Sequence, residues 1–170
     1  MIELLKHPGQ QRIYWVGLIV LGLALEAAAL YYQYGLDEWP CVVCIHIRIW
    51  ILGFVLLGLI ALVCVNSRWA LRVLHGLSVL IMIGFLERSW QVLAIERGWV
   101  FGDCAMELGM PAWFALDKWF PAIFEVQTSC GYTPYIIFNI TMAEILLVVS
   151  ALLTVVATAL FIASWLDRTR

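Results

Sequence analysis

Charge is scarce in this chain. Asp, Glu, Lys and Arg make up 13% of its 170 residues, against about a quarter in an average soluble domain. That deficit, with a hydrophobic fraction of 64% and a mean hydropathy of +0.95, excludes a water-soluble globule. A basic excess is missing too. Ten Lys and Arg against twelve Asp and Glu leave a net charge of −2, so there is no electrostatic footprint for nucleic acid. The length leaves no room for a separate soluble domain, and residues 1–170 are expected to form one integral membrane unit. What the chain does have is aromatics: nine Trp, six Tyr and eight Phe, the residues that favour membrane interfaces.

Four apolar segments reach the ~20 residues that a helix needs to cross the hydrocarbon. They cover about 14–34, 44–65, 70–91 and 140–165, with a tight turn at Asn66-Ser67-Arg68 between the second and third. The fourth apolar run opens at Tyr135, is longer than a span needs, and is expected to enter the membrane late. Lys6, Arg12, Arg68, Arg72, Arg168 and Arg170 fall at the N-terminus, the second–third turn and the C-terminal tail. An even number of spans puts those segments on one side, and the positive-inside rule makes that side cytoplasmic. Ala27-Ala28-Ala29 after an apolar stretch superficially resembles a signal-peptide cleavage site. The run continues through Leu30, Tyr31 and Tyr32, so it is expected to be a retained span.

The expected fold is an all-α membrane protein, a four-transmembrane-helix bundle with two outer loops. The second loop, from Glu96 to Pro134, is too long to be idle. Within it Trp113, Leu116 and Phe120 recur at helical spacing between Pro111 and Pro121, which predicts a short interfacial helix.

Both outer loops carry cysteine. Cys41 and Cys44 form a C-x-x-C after Pro40 at the opening of the second span, and Cys104 and Cys130 lie in the second loop with 25 residues between them. Disulfides persist in oxidising compartments, and the outer face of a bacterial membrane is one. Thiols at a helix N-terminus feel the positive end of the dipole, which favours the thiolate. A bracing disulfide across two intervening residues removes little chain entropy. A zinc site wants a second close Cys or His pair, and none of His7, His46 or His75 flanks Cys104 or Cys130. A redox pair is favoured over a structural or a metal one, and no metal site is expected. Cys104 and Cys130 alone read as a loop closure; the neighbouring C-x-x-C turns the balance toward exchange between the pairs. Cys64, near the inner end of the second span, reads as an inert buried thiol.

Arg48 falls four residues after Cys44, on the same helical face and one turn deeper. Two readings stand side by side. It stabilises the Cys44 thiolate and hydrogen-bonds an acceptor's carbonyl, or it snorkels to the outer headgroups. Glu26, inside the first span, reads first as the structural partner of a buried cation, with proton relay as the other reading. Glu87 and Arg88 are ambiguous.

Together these residues resemble the disulfide bond formation protein B (DsbB) family of bacterial inner-membrane thiol oxidases. The match runs over nearly the whole chain. It takes in Ala24-Leu25-Glu26 and Gln33, then Pro40-Cys41-Val42-Val43-Cys44-Ile45 with Arg48, and then Cys104. It continues through Pro111-Ala112-Trp113, Leu116-Asp117-Lys118-Trp119 and Pro121 to Cys130. The resemblance implies periplasmic cysteine loops, cytoplasmic termini and a periplasmic partner, a DsbA-like thioredoxin-fold oxidase. The partner's thiolate attacks a Cys104–Cys130 disulfide and links to Cys104, and electrons pass by exchange to Cys41–Cys44. Cys44 faces a quinone from the membrane pool, ubiquinone or menaquinone, with Arg48 assisting.

The chain departs from the family pattern in two places. Ile47 stands before Arg48 where an acidic residue is common, and a quinone-linked histidine near the outer end of span three has no clear counterpart. Gln91 and Arg97 are the nearest polar candidates, and His46 is a local substitute. The alternative from another class is a non-catalytic membrane redox sensor or adaptor with structural outer disulfides.

Overall fold

A computed structural model describes residues 8–102 and 106–166. Four long helices build it: α1 (Pro8–Gly35), α2 (Val42–Val63), α3 (Arg68–Glu96) and, after the second outer loop, α6 (Met142–Leu166). Each is long and apolar enough to cross a membrane. The protein is a four-helix membrane bundle. Helix α3 runs a turn further outward than the sequence pattern suggests, ending at Glu96.

The helices pack in chain order, α1 on α2, α2 on α3, and α3 on α6. Trp15, Ile45, Phe54, Met82 and Phe85 are fully buried between them. Ile13, Val20, Val148 and Val155 point outward and stay exposed, as lipid-facing side chains do. Because lipid tails are as apolar as leucine, helix association relies on close fit. Gly22 provides it on α1, where a Cβ would stand 2.3 Å from Val55 of α2. Thr154 of α6 donates to the Met82 carbonyl of α3 at 3.2 Å, and Arg72 donates to the Ser164 carbonyl at 3.2 Å.

Side chains define the helix ends. Ser67 caps α3 by accepting from the Ala70 amide at 3.4 Å, which fixes the tight inner turn. Helix α6 opens on a capping box, with the Thr141 amide donating to Glu144 at 3.0 Å and the Glu144 amide donating to the Thr141 hydroxyl at 3.4 Å. Upstream of it, residues from Tyr135 that continue the apolar run form a hairpin of β1 (Tyr135–Ile137) and β2 (Ile140–Thr141). Its turn residues Phe138 and Asn139 both have positive φ, 48° and 62°, the geometry of a hairpin turn.

The interfacial helix expected after Pro111 is present in short pieces. A 3₁₀ turn spans Ala112–Phe114, and α4 (Leu116–Trp119) and α5 (Pro121–Phe124) follow. Pro121 explains the second break, since it drives the preceding Phe120 to φ −135°, ψ 65°, outside the helical region.

Candidate functional site

The two outer loops are stitched together by backbone at the first cysteine pair. The Gln127 amide donates to the Pro40 carbonyl at 3.0 Å, and Cys41 forms a parallel bridge with Thr128. Cys41 is thereby buried between the loops, 4% exposed. It is also the N-cap of α2, its sulfur accepting from the Cys44 amide at 3.3 Å, the position a serine or aspartate usually takes. From the other loop Cys130 brings its side chain within hydrogen-bonding reach of Cys41. Gly131 follows at φ 125°, a conformation that a side chain would resist.

This burial changes the Cys41 chemistry anticipated from its helix-end position. The strongest influence, the hydrogen bond with Cys130, favours the thiolate. Interaction with Cys44 and burial together outweigh it and push the thiol up to about 12. Cys41 therefore holds its proton and is a poor leaving group.

Cys44, one turn inward and half-buried, opens on a different space. A cleft of about 140 Å³ lies among α1, α2 and α6, with Leu25, Ala29, Cys44, Arg48, Ile51 and Leu146 among its walls. Glu38 and Tyr132 stand at its outer mouth. The Glu38 carboxylate beside Tyr132 raises that phenol, first by its charge and also as its hydrogen-bond partner.

Arg48 does not snorkel. It is 5% exposed, and its guanidinium reaches across to α1 and down from the second loop. Nη1 donates to Gln33 Oε1 at 2.6 Å and to the Ile123 carbonyl at 3.0 Å, and Nη2 donates to the Ala29 carbonyl at 3.1 Å. Gln33 in turn donates to Gln127 at 3.2 Å, and Tyr34 donates to the Ala122 carbonyl. A cation inside a membrane needs such partners. Among the described residues three of the five guanidinium N–H groups are used, which leaves Nε and one Nη2 hydrogen as spare donors beside the cleft.

Other sequence candidates are placed elsewhere. Cys104 lies outside the described residues. Cys64 caps the inner end of α2, far from the outer loops. His46 is not among the cleft residues; its Nε2 sits 3.1 Å from the Leu108 carbonyl, in a separate groove with Trp50 and Arg88. The reason is helical phase, because positions two apart on a helix, such as His46 and Arg48, do not share a face. Gln91 accepts from Arg88 at 2.7 Å, Arg88 also pairs with Glu87 at 3.1 Å, and Arg97 pairs with Glu144. Glu26 is buried, with Oε1 lacking a hydrogen-bond partner and no salt bridge to Arg48, but its charge acts on that buried cation through space. Four participants were not singled out from sequence as site residues: Glu96, Gln127, Thr128 and Thr133. Gln33 carried a signal as a polar residue inside a span.

The family model described as "Disulfide bond formation protein DsbB" matches residues 11–160. The chain is similar to disulfide bond formation protein B of Histophilus somni, 34% identical over 157 residues, covering 89% of this chain and 86% of the relative. It is also similar to the protein of that name from Photorhabdus laumondii, 29% identical over 99% of both chains. Disulfide bond formation protein B 2 of Pseudomonas aeruginosa is 33% identical, over 84% of this chain and 85% of the relative.

Proposed function

The chain belongs to the disulfide bond formation protein DsbB family, and from that premise we propose that it is a protein dithiol:quinone oxidoreductase of the bacterial inner membrane. It oxidises a periplasmic DsbA-like thioredoxin-fold oxidase and delivers the electrons to a membrane quinone, ubiquinone or menaquinone. The distribution of basic residues supports cytoplasmic termini and periplasmic cysteine loops.

The observation that carries this reading is the two-sided setting of the C-x-x-C. Cys41 meets Cys130 from the second loop, while Cys44 opens on the cleft beside Arg48. In the proposed relay, the partner's thiolate attacks Cys104 of a Cys104–Cys130 disulfide, and the electron pair leaves on Cys130. Cys130 then attacks Cys41 of the Cys41–Cys44 disulfide. The sulfur whose thiolate is better stabilised leaves faster in such exchange. Cys41 is held up to about 12, whereas Cys44 sits in the first turn of α2, one turn from Arg48. Attack at Cys41 therefore expels Cys44, on the cleft side.

The cleft suits a quinone: its walls are mostly apolar, with one cation whose spare donors match a carbonyl oxygen. When bound, the quinone supplies the two-electron acceptor. Arg48 would hold the carbonyl and stabilise the neighbouring thiolate, Cys44 would face the ring, and Leu25, Ile51 and Leu146 would exclude water. A strong terminal acceptor is required because the partner is itself strongly oxidising. Each ~30 mV of uphill mismatch costs about 1.4 kcal/mol for two electrons.

Purified protein mixed with a reduced DsbA-type oxidase and a water-soluble quinone should bleach quinone absorbance, one quinone per partner disulfide formed. Intact spheroplasts should oxidise partner added outside. Absence of quinone consumption would remove the enzymatic reading, and oxidation only by inside-out vesicles would reverse the orientation.

A further inference from the structure

The exchange pair shares its space with a carboxylate that the relay has not used. Between the outer ends of α2 and α3 lies a void of about 10 Å³, lined by Cys41, Cys130, Glu96 and Thr133 among others. That volume is at the lower limit for one water, so charges around it are weakly screened. Glu96 is the last residue of α3 and is half-buried. Thr133, itself buried at 6% exposure, donates its hydroxyl to Glu96 Oε2. Thr133 lies three residues after Cys130, so one hydrogen bond ties the Cys130 loop to the end of α3. The adjacent cation, Arg97, is engaged by Glu144. Glu38 faces Tyr132, on the side of the cleft mouth. The buried cation Arg48 lies at the Cys44 end.

We infer that Glu96, held by Thr133, is a positioning residue that drives the electron pair from Cys130 to Cys44 by disfavouring negative charge at the exchange pair. This rests on the relay proposed above. In the step concerned, Cys130 Sγ attacks Cys41 Sγ. The S–S bond between Cys130 and Cys41 forms, the bond between Cys41 and Cys44 breaks, and the electron pair departs on Cys44 Sγ. No proton moves and no outside oxidant is needed. Before the step the thiolate charge stands beside the Glu96 carboxylate; after it, the charge stands one helical turn from Arg48. A nearby like charge disfavours an anion and an opposite charge favours it, so both ends of the path pull in one direction.

Replacing Cys104 with alanine isolates this equilibrium. One disulfide then partitions between Cys41–Cys44 and Cys41–Cys130 in purified protein freed of quinone. Acid quenching, alkylation of the remaining thiol and peptide mapping by mass spectrometry give the ratio. In that background Glu96→Gln should shift the ratio toward Cys41–Cys44 by roughly tenfold, the equivalent of one pKa unit. Glu96→Asp should restore most of the parent ratio, which a purely space-filling role would not predict. Thr133→Val, which releases the carboxylate at nearly constant volume, should shift the ratio the same way by less, and it provides the reading if Glu96→Gln does not accumulate. Both disulfides present in the parent, with a ratio insensitive to Glu96→Gln or Thr133→Val, would overturn the role of Glu96. Complete absence of Cys41–Cys130 in the parent would instead sink the relay itself.

Discussion

Cys44→Ser should end quinone reduction while leaving the outer exchange able to begin. Among the described residues Cys44 is the cysteine that lines the cleft, whereas Cys41 is enclosed between the loops. A serine keeps the volume but neither accepts a disulfide nor carries a stable anion at neutral pH. Removing a residue that acts covalently in a relay costs on the order of 10⁴ in rate or more. Quinone absorbance followed with excess reduced partner should therefore show turnover at or near background. A partner lacking its resolving cysteine should still become attached to the second loop of the variant, read as a gel shift under non-reducing conditions. Residual turnover within about tenfold of the parent would mean that Cys41 or the second pair reaches the acceptor unaided, contrary to its burial.

Arg48→Met is the second large effect, and it should separate quinone binding from thiol exchange. Hydrogen bonds to charged groups contribute about 1.5–3 kcal/mol, so the apparent KM for quinone should rise on the order of ten- to a hundredfold. The rate at which a reduced partner forms its mixed disulfide should stay near the parent value, because that step lies in the other loop. Arg48 also joins α1, α2 and α5 through Gln33, Ala29 and Ile123, so the variant loses stability as well. Arg48→Lys keeps the charge without the planar fork and should fall between parent and Arg48→Met in quinone KM. Unchanged quinone kinetics in both variants would leave Arg48 as a brace between helices and no more.

The span positions and the cysteine motif were legible because both are local. Four apolar runs of sufficient length have one outcome in a bilayer, and α2 begins where Pro40 and the C-x-x-C suggest. The late entry of the fourth span was legible too, since the apolar run from Tyr135 is longer than a span needs and α6 starts at Met142. The hairpin ahead of it was not, because left-handed Phe138 and Asn139 fold the residues before Thr141 back on themselves. The site itself depends on long-range register. Nothing local to Cys41 specifies its bridge to Thr128, its approach to Cys130, or the Glu96 carboxylate beside both. The helix-end position of Cys41 suggested an eased thiolate, and the approach of Cys130 favours one too, yet interaction with Cys44 and burial between two loops together outweigh both. Arg48 illustrates the same limit, since spacing put it under Cys44 but the approach of α1 and of the second loop decided where its guanidinium points.

The order of the relay is open to a single trapping experiment. Oxidised protein is mixed with a DsbA-type partner that lacks its resolving cysteine, quenched in acid, alkylated and digested for disulfide mapping by mass spectrometry. The expected product is one molecule carrying two linkages, the partner joined to Cys104 and Cys41 joined to Cys130, with Cys44 recovered as the alkylated thiol. A partner joined to Cys41 or Cys44, formed equally well when Cys104 and Cys130 are both replaced, would contradict that order and return the second pair to a structural loop closure.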